Sequence, residues 1–142
     1  MSILPDEVKE DVRKKLEKSL KNPVKLTYFT MELECQFCQQ THQLLEEIAS
    51  LSDKISLKIF KFDIDKKEKD AYKIDKIPAI IVMDEKDYGI RLYGLPAGYE
   101  FTSLIQDIIM VSTGETGLTE KSIERIKTLS KSVHIQVFVT NT

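Results

Sequence analysis

The sequence predicts an α/β fold in which a mixed sheet of about four strands is covered by helices on both faces. Apolar residues alternate along the chain between helical spacing and short β-branched runs, which gives the order helix, βαβ, helix, ββ, helix. A βαβ unit implies two parallel strands joined by a right-handed crossover, and the last two strands should form a hairpin. With 42% hydrophobic residues, the 142-residue chain can bury a core without disulfide cross-links.

The first part of the chain predicts a helix, a strand and a second helix. Pro5 and the two acidic residues after it favour a helix start, because carboxylates stabilise the positive end of the helix dipole. Asn22-Pro23 ends this helix, and Val24 to Thr30 is β-branched and aromatic, which is typical of a buried strand. From Gln36 to about Leu51 the pattern is helical again. The apolar stripe of the first helix is Val8, Val12, Leu16 and Leu20.

The middle of the chain alternates strands with helices. Runs rich in isoleucine and aromatic residues indicate strands, and Gly94-Leu95-Pro96 breaks the pattern before the last helix of this region. The predicted elements are a strand over Ile55 to Ile64, a short helix over Lys66 to Ile74, strands over Ile77 to Met83 and Arg91 to Tyr93, and a helix from about Glu100 to Val111.

The end of the chain repeats its beginning. Leu118 to Lys131 has helical periodicity, and Val133 to Val139 is typical of a buried strand. When the sequence is shifted by 109 residues, the apolar positions of Val24 to Phe29 align with those of Val133 to Phe138. We therefore expect one complete unit over residues 1–117 and the partial start of a second over 118–142. That last strand would lack sheet partners, and an unpaired strand edge favours self-association.

Composition excludes several classes of protein. Net charge is −2, and the 21 basic and 23 acidic residues are interleaved, whereas a nucleic-acid module needs a concentrated basic face. No apolar run predicts a signal peptide or a membrane span, so we expect no membrane association. Two cysteines, three residues apart, do not form the framework of a secreted disulfide-rich protein. We expect a cytoplasmic protein, and the Lys/Glu/Ile content is typical of a thermophile.

The candidate chemistry lies in Cys35-Gln36-Phe37-Cys38, between a predicted strand and a predicted helix. Unpaired N–H groups and the helix dipole at a helix N-terminus stabilise a thiolate, which lowers a thiol pKa from about 8.5. Cys35 is then the nucleophile that attacks a substrate disulfide, and Cys38 resolves the mixed disulfide. The predicted function is thiol–disulfide exchange on protein substrates, and the chemistry requires no metal or prosthetic group.

Two alternatives remain at this stage. Cys35 and Cys38 with His42 and His134 supply four zinc ligands, although zinc motifs usually bring their ligands as two close pairs. The cysteines could also be buried structural thiols of a non-catalytic adaptor. Metal content per chain discriminates the zinc site from a redox pair.

Three motifs resemble those of known redox proteins: CQFC at Cys35 to Cys38, KIPAII at Lys76 to Ile81, and YGLPAGYEF at Tyr93 to Phe101. The first two are general to the thioredoxin and glutaredoxin superfamily. The third motif, with the apparent repeat, resembles the glutaredoxin-like protein disulfide oxidoreductases of thermophiles, which carry two such units in tandem. The resemblance covers nearly the whole chain and implies a thioredoxin-like fold.

The resemblance also implies roles for residues around the cysteines. Pro78 would be a cis-proline facing the pair, with a strand-edge proline as the alternative. Ile77 would offer its backbone to an extended substrate segment. Gln36 and Phe37 would tune the redox potential, and Phe37 would contact substrate unless it is a core aromatic. The family implies an electron donor such as a thioredoxin reductase, and a glutathione-dependent glutaredoxin is a narrower possibility.

The sequence departs from the thioredoxin pattern in two places. Glu34 replaces the tryptophan before the first cysteine, and its carboxylate opposes thiolate formation. Phe29 replaces the buried aspartate that serves as a proton relay, and Asp63 or Asp65 are possible substitutes. We interpret His42, one turn beyond Cys38, as an ordinary helix-surface residue.

Overall fold

A computed structural model describes residues 1–140, and Asn141 and Thr142, the last two residues of the predicted second unit, lie outside the described residues. Four strands and five helices follow one another along this part of the chain, in the predicted order up to residue 113. They are α1 (Asp6–Ser19), β1 (Val24–Thr30), α2 (Cys38–Ala49), β2 (Ile55–Lys61), α3 (Lys66–Ala71), β3 (Ala79–Met83), β4 (Arg91–Tyr93), α4 (Tyr99–Thr113) and α5 (Glu120–Lys127).

The strands form one mixed sheet in the order β2-β1-β3-β4. β1 and β2 are parallel, with Val24 opposite Ile55, as the predicted crossover through α2 requires. β3 is antiparallel to both of its neighbours, β1 and β4. The predicted mixed four-stranded sheet is therefore confirmed.

Alternate residues of the central strands supply two buried clusters, one on each face of the sheet. On one face, Leu26 and Tyr28 of β1 pack with apolar residues of α1, α2 and α4. On the other face, Phe29 stacks on Phe60, with ring centroids 5.3 Å apart, and packs beside Ile74. Because both faces are covered, β1 and β3 are almost continuously buried, and this rigid sheet positions the segments that leave its ends.

Several element boundaries differ from the prediction. α3 ends at Ala71 rather than Ile74, because the chain turns at Lys73, whose φ is 56°, and β3 begins at Ala79 rather than Ile77, after the cis Ile77–Pro78 bond. α2 begins at Cys38 rather than Gln36, because residues 36 and 37 form a turn and the first helical hydrogen bond runs from Thr41 N–H to Phe37 O (3.0 Å). β2 ends at Lys61 rather than Ile64, because the Asp65 carboxylate accepts the Lys61 N–H (2.6 Å) and turns the chain toward α3.

The C-terminal segment differs most from the prediction. The helix expected over 118–131 is the shorter α5, whose first turn is capped by the Thr119 hydroxyl accepting the Ser122 N–H (3.2 Å). The strand expected over Val133 to Val139 is not formed, and its apolar side chains are 60% to 89% exposed. A strand needs a neighbouring strand for its backbone hydrogen bonds, and none lies beside this segment within residues 1–140. In the same range, no helix is both long and apolar enough to cross a membrane.

Candidate active site

Cys35 and Cys38 are joined by a disulfide between the end of β1 and the start of α2, with their Cα atoms 5.5 Å apart. Cys38 is the first residue of the helix and is 2% exposed, whereas Cys35 lies in the preceding turn and is half-buried. We predicted Cys35 at the helix N-terminus; the structure instead puts Cys38 there, and the disulfide links the Cys35 sulfur to it. Cys35 is therefore more accessible to a second molecule than Cys38.

The start of α2 is fixed by hydrogen bonds from buried groups. Tyr28 donates its hydroxyl proton to the Cys38 carbonyl (2.7 Å), and the Thr41 hydroxyl donates to Phe37 O (2.8 Å). Burial raises the pKa of Tyr28, although hydrogen bonds with Thr30 and Thr41 oppose the shift, so the phenol remains a donor. These contacts hold the two cysteines in one geometry against the sheet.

Pro78 lies at the same edge of the sheet as the disulfide. The Ile77–Pro78 peptide bond is cis, and the register pairs Ala79, the next residue, with Phe29 near the end of β1. Pro78 is buried, and its carbonyl accepts the Gly94 N–H (2.9 Å). Within residues 1–140, neither the N–H nor the C=O of Ile77 has a hydrogen-bond partner, which leaves this backbone unpaired beside the end of β1.

The two residues between the cysteines are both exposed. Gln36 is exposed, and Phe37 is 42% exposed and is absent from both buried clusters. The alternative of a core aromatic at Phe37 is therefore wrong, because the turn before α2 directs this residue away from the sheet. Both residues lie at the surface next to Cys35.

A cleft of about 250 Å³ opens beside the disulfide. Its walls come from the end of β1, the loop after it and the first two turns of α2. The lining residues are Thr30, Met31, Glu32, Cys35, Gln36, Cys38, Gln39 and His42. His42, which we interpreted as an ordinary surface residue, thus stands on the wall of the same cleft as both cysteines. Its signal in the sequence is its spacing of four residues from Cys38, which places both on one helix face.

The substitutes considered for a buried carboxylate relay are not beside the disulfide. Phe29 is fully buried in the aromatic cluster, and Asp65 is engaged by the Lys61 backbone. Asp63 is exposed and lines a separate recess with Leu33 and Ile64.

Among residues 1–140, Glu32 is the carboxylate that lines the cleft. Its side chain is exposed, and a hydrogen bond from the Lys61 ammonium, together with the charge of that ammonium, lowers the pKa of Glu32. The cleft therefore carries a paired carboxylate at its rim.

The zinc arrangement does not assemble in the described part of the chain. No three histidine, cysteine or carboxylate side chains within residues 1–140 lie close enough together to bind a metal ion. Both sulfurs are in the disulfide, and His134 lies in the exposed C-terminal segment, 92 positions after His42.

No family model matches the chain, but solved structures and curated proteins do. It superimposes on a protein disulfide oxidoreductase from Aeropyrum pernix with a TM-score of 0.80 at 23% identity, over 91% of this chain and 56% of that one. It superimposes equally well, also at 0.80, on the F component of the alkylhydroperoxide reductase of Enterococcus faecalis, with 25% identity over 90% of this chain and 62% of that one. The chain is a thioredoxin-like domain.

Curated sequences relate this thioredoxin-like domain to an NADH dehydrogenase of Bacillus subtilis, with 30% identity over 70% of this chain, and to F components of alkyl hydroperoxide reductases. It is 32% identical over 95 residues to the F component of the alkyl hydroperoxide reductase of Xanthomonas campestris, which covers 67% of this chain. The chain spans only 16% to 17% of the length of the curated relatives it matches first. The domain therefore carries a CxxC pair, Cys35 and Cys38, joined as a disulfide in a thioredoxin-like fold, as the sequence motifs predicted.

Proposed function

We propose that this thioredoxin-like domain exchanges electrons between its Cys35–Cys38 pair and the disulfides of protein substrates. The observation that carries the proposal is the asymmetry of the pair, because the half-buried Cys35 can be attacked from outside whereas Cys38 is 2% exposed. In the reduced form, the Cys35 thiolate attacks a substrate disulfide and forms a mixed disulfide. Cys38 then attacks Cys35, which releases the reduced substrate and leaves the intramolecular disulfide.

Substrate recognition in this proposal uses the exposed residues around Cys35. The unpaired N–H and C=O of Ile77 accept an extended substrate segment in strand-like pairing, next to the cis peptide bond of Pro78. Phe37, 42% exposed, contacts an apolar side chain of the substrate, and Gln36 with Phe37 tunes the redox potential of the pair.

The electrons come from a reductase in this proposal. The related F components of alkyl hydroperoxide reductases support a donor of the thioredoxin-reductase type, since their names describe a reductase. A cytoplasmic location agrees with the use of the cysteines as a reducible pair. The Lys/Glu/Ile composition supports a thermophilic source.

We also propose that residues 118–142 begin a second unit, and that the Val133 to Val139 segment pairs with another strand. The chain matches 56% of the Aeropyrum pernix protein's length, which leaves room for a further unit in a protein of that kind. The exposed apolar side chains of this segment support pairing with a strand of another chain when no second unit is present.

Mutation of each cysteine tests the proposed chemistry. Cys38→Ser leaves the nucleophile and removes the resolving thiol, so the variant should accumulate a mixed disulfide with a peptide disulfide, visible by mass spectrometry. Cys35→Ser should abolish exchange. Normal turnover by the Cys35 variant would contradict the assignment of the nucleophile.

A non-catalytic adaptor is the second candidate, because the burial of Cys38 also suits a structural disulfide. In that case neither cysteine variant would form a mixed disulfide, and Cys35→Ser would mainly lower stability. Zinc content of the reduced protein tests the metal-bound form of the adaptor. Comparison of a glutathione-coupled with a dithiol-coupled assay separates a protein disulfide oxidoreductase from a glutaredoxin.

A further inference from the structure

We propose that His42 exchanges the proton that the cysteine pair gains and loses during disulfide exchange, and that Glu46 orients His42. The inference rests on the proposed function, since it names a residue that serves the same site. Thioredoxin-type relays use a buried carboxylate on the strand before the cysteines, and the equivalent position here is the fully buried Phe29. The proton needs another acceptor.

Three side chains occupy one face of α2 in succession. Cys38, His42 and Glu46 follow each other at intervals of four residues, the spacing at which side chains on a helix are neighbours. His42 lines the cleft that both cysteines line, so it faces the site and not only bulk solvent. Its Nε2 lies 3.2 Å from Oε1 of Glu46, an ion-pair distance at which the geometry does not meet that of a hydrogen bond.

The surroundings of His42 suit a proton-exchange residue. Nε2 is buried and, within the described residues, makes no hydrogen bond of regular geometry, so its contact with Glu46 Oε1 is an ion-pair contact. The groups facing the ring are Glu46 on its own helix, Tyr28 from β1 with its ring centroid 6.0 Å away, and Glu32 across the cleft. Glu32 is paired with Lys61, which leaves Glu46 as the carboxylate that stabilises an imidazolium.

The cleft also provides a path for the proton between the cysteine sulfurs and the imidazole of His42. Its volume of about 250 Å³ holds several water molecules, and one water between a sulfur and the imidazole is sufficient to carry a proton. The walls offer polar partners for such a water in the Thr30, Gln36 and Gln39 side chains.

The proton and electron balance is complete for the resolving step. In the mixed disulfide, neutral His42 takes the proton of the Cys38 thiol, and the resulting thiolate attacks Cys35 Sγ. The bond between Cys35 and the substrate sulfur breaks, its electron pair leaves with the substrate, and the substrate sulfur takes the proton back from His42. Starting from the Cys35 thiolate, the cysteine pair loses two electrons and one proton over both steps. The substrate disulfide gains the two electrons, that proton, and a second proton from solvent at the thiolate released in the first step.

A single-turnover experiment on the reduced full chain isolates this step. Attack on an excess of a small peptide disulfide depends on peptide concentration, whereas resolution does not, so stopped-flow measurements separate the two phases. His42→Gln should slow the concentration-independent phase by about 10- to 100-fold and remove its pH dependence between about pH 5 and 8. Glu46→Gln should slow it less, by roughly two- to tenfold. His42→Ala should regain part of the lost rate when free imidazole is added.

The control is His134→Gln, which removes the chain's other histidine from the exposed C-terminal segment and should leave both phases unchanged. Circular dichroism of each variant verifies that α2 is intact. A His42→Gln variant with the wild-type rate and pH profile, or a His42→Ala variant that imidazole does not accelerate, would overturn the role of His42. Wild-type protein that exchanges no disulfide at all would instead overturn the proposed function, so the two failures are distinct.

Discussion

At the scale of single residues, Glu34, which directly precedes Cys35, has an unusual backbone conformation. Glu34 has a φ of 59°, in the left-handed region that side chains other than glycine, asparagine and aspartate rarely adopt. It is exposed and directly precedes Cys35. The left-handed backbone turns the chain between the end of β1 and the start of α2, and it also keeps a carboxylate beside the nucleophile.

Neutralising Glu34 should make the reduced Cys35 more reactive. A carboxylate next to a thiol opposes thiolate formation, so Glu34→Gln should raise the rate of Cys35 alkylation near neutral pH by roughly two- to fourfold. The gain should shrink as salt is added, because salt screens exposed charges. Glu85→Gln, an exposed change in the loop after β3, is the control. Equal rates in Glu34→Gln and wild type at low salt would contradict this effect.

Individual site residues differ in how visible they are in the sequence. The spacing of the cysteines between a strand and a helix is a direct signal for Cys35 and Cys38, and the motif around Lys76 to Ile81 indicates Pro78. The place of His42 is not visible in the same way. Helical periodicity shows that His42 shares a helix face with Cys38. This face lines a cavity only because the loop after β1 packs across from it, and that tertiary contact is not visible in the sequence pattern.

At the scale of elements, a short N-terminal segment is tied to α2 through one carboxylate. Glu47 accepts the N–H groups of Ile3 (2.7 Å) and Leu4 (2.9 Å) and lies 3.5 Å from the Lys9 ammonium. Burial of the carboxylate opposes ionisation, but the hydrogen bonds from Leu4, Ile3 and Ser2 outweigh it and lower the pKa of Glu47 to about 2. The segment before α1 is therefore fixed to the helix that carries Cys38.

This contact should make the domain sensitive to acid. Glu47 ionises at about 2 in the fold and near 4.5 when unfolded, so its stabilisation is complete above about pH 4.5 and is lost as the pH falls toward 2. Glu47→Gln should lower the free energy of unfolding by about 1–2 kcal/mol at neutral pH, measured by urea denaturation. The difference from wild type should vanish toward pH 2.

The control for this measurement is Glu10→Gln. Glu10 is exposed on α1 and, within residues 1–140, pairs only with Arg13 and Lys14 at 3.7 Å and 4.0 Å, so its loss should change stability by less than about 0.5 kcal/mol. A Glu47→Gln variant as stable as Glu10→Gln would contradict the anchoring role of Glu47.

Strands in which nearly every residue is buried and apolar are predictable from the sequence, whereas a strand that requires a neighbouring strand from elsewhere is not. β1 and β3 are recognisable from their composition because burial on both faces requires almost every residue to be apolar. The start of α2 was placed two residues early because periodicity does not reveal the turn at residues 36 and 37. Val133 to Val139 has a strand's composition but remains irregular, because strand formation requires a neighbour that sequence pattern alone does not supply.

At the scale of the whole molecule, the exposed C-terminal segment should control association. If Val133 to Val139 pairs with a strand of another chain, the protein should associate with rising concentration in sedimentation velocity experiments. Val137→Pro should keep it monomeric, because proline lacks the N–H that the pairing requires. Ser132→Pro, just before the segment, is the control. Wild type that stays monomeric at all concentrations, or a Val137→Pro variant that associates equally, would contradict this prediction.

The central claim concerns the whole domain, which presents one reducible cysteine pair at the edge of its sheet. Its most direct test is a redox titration in which the free thiols of Cys35 and Cys38 are counted by alkylation across a series of thiol–disulfide buffers. The account predicts one reversible two-electron transition in which both thiols appear together. Thiols that stay reduced in every buffer, or that resist alkylation until a chelator is added, would contradict it.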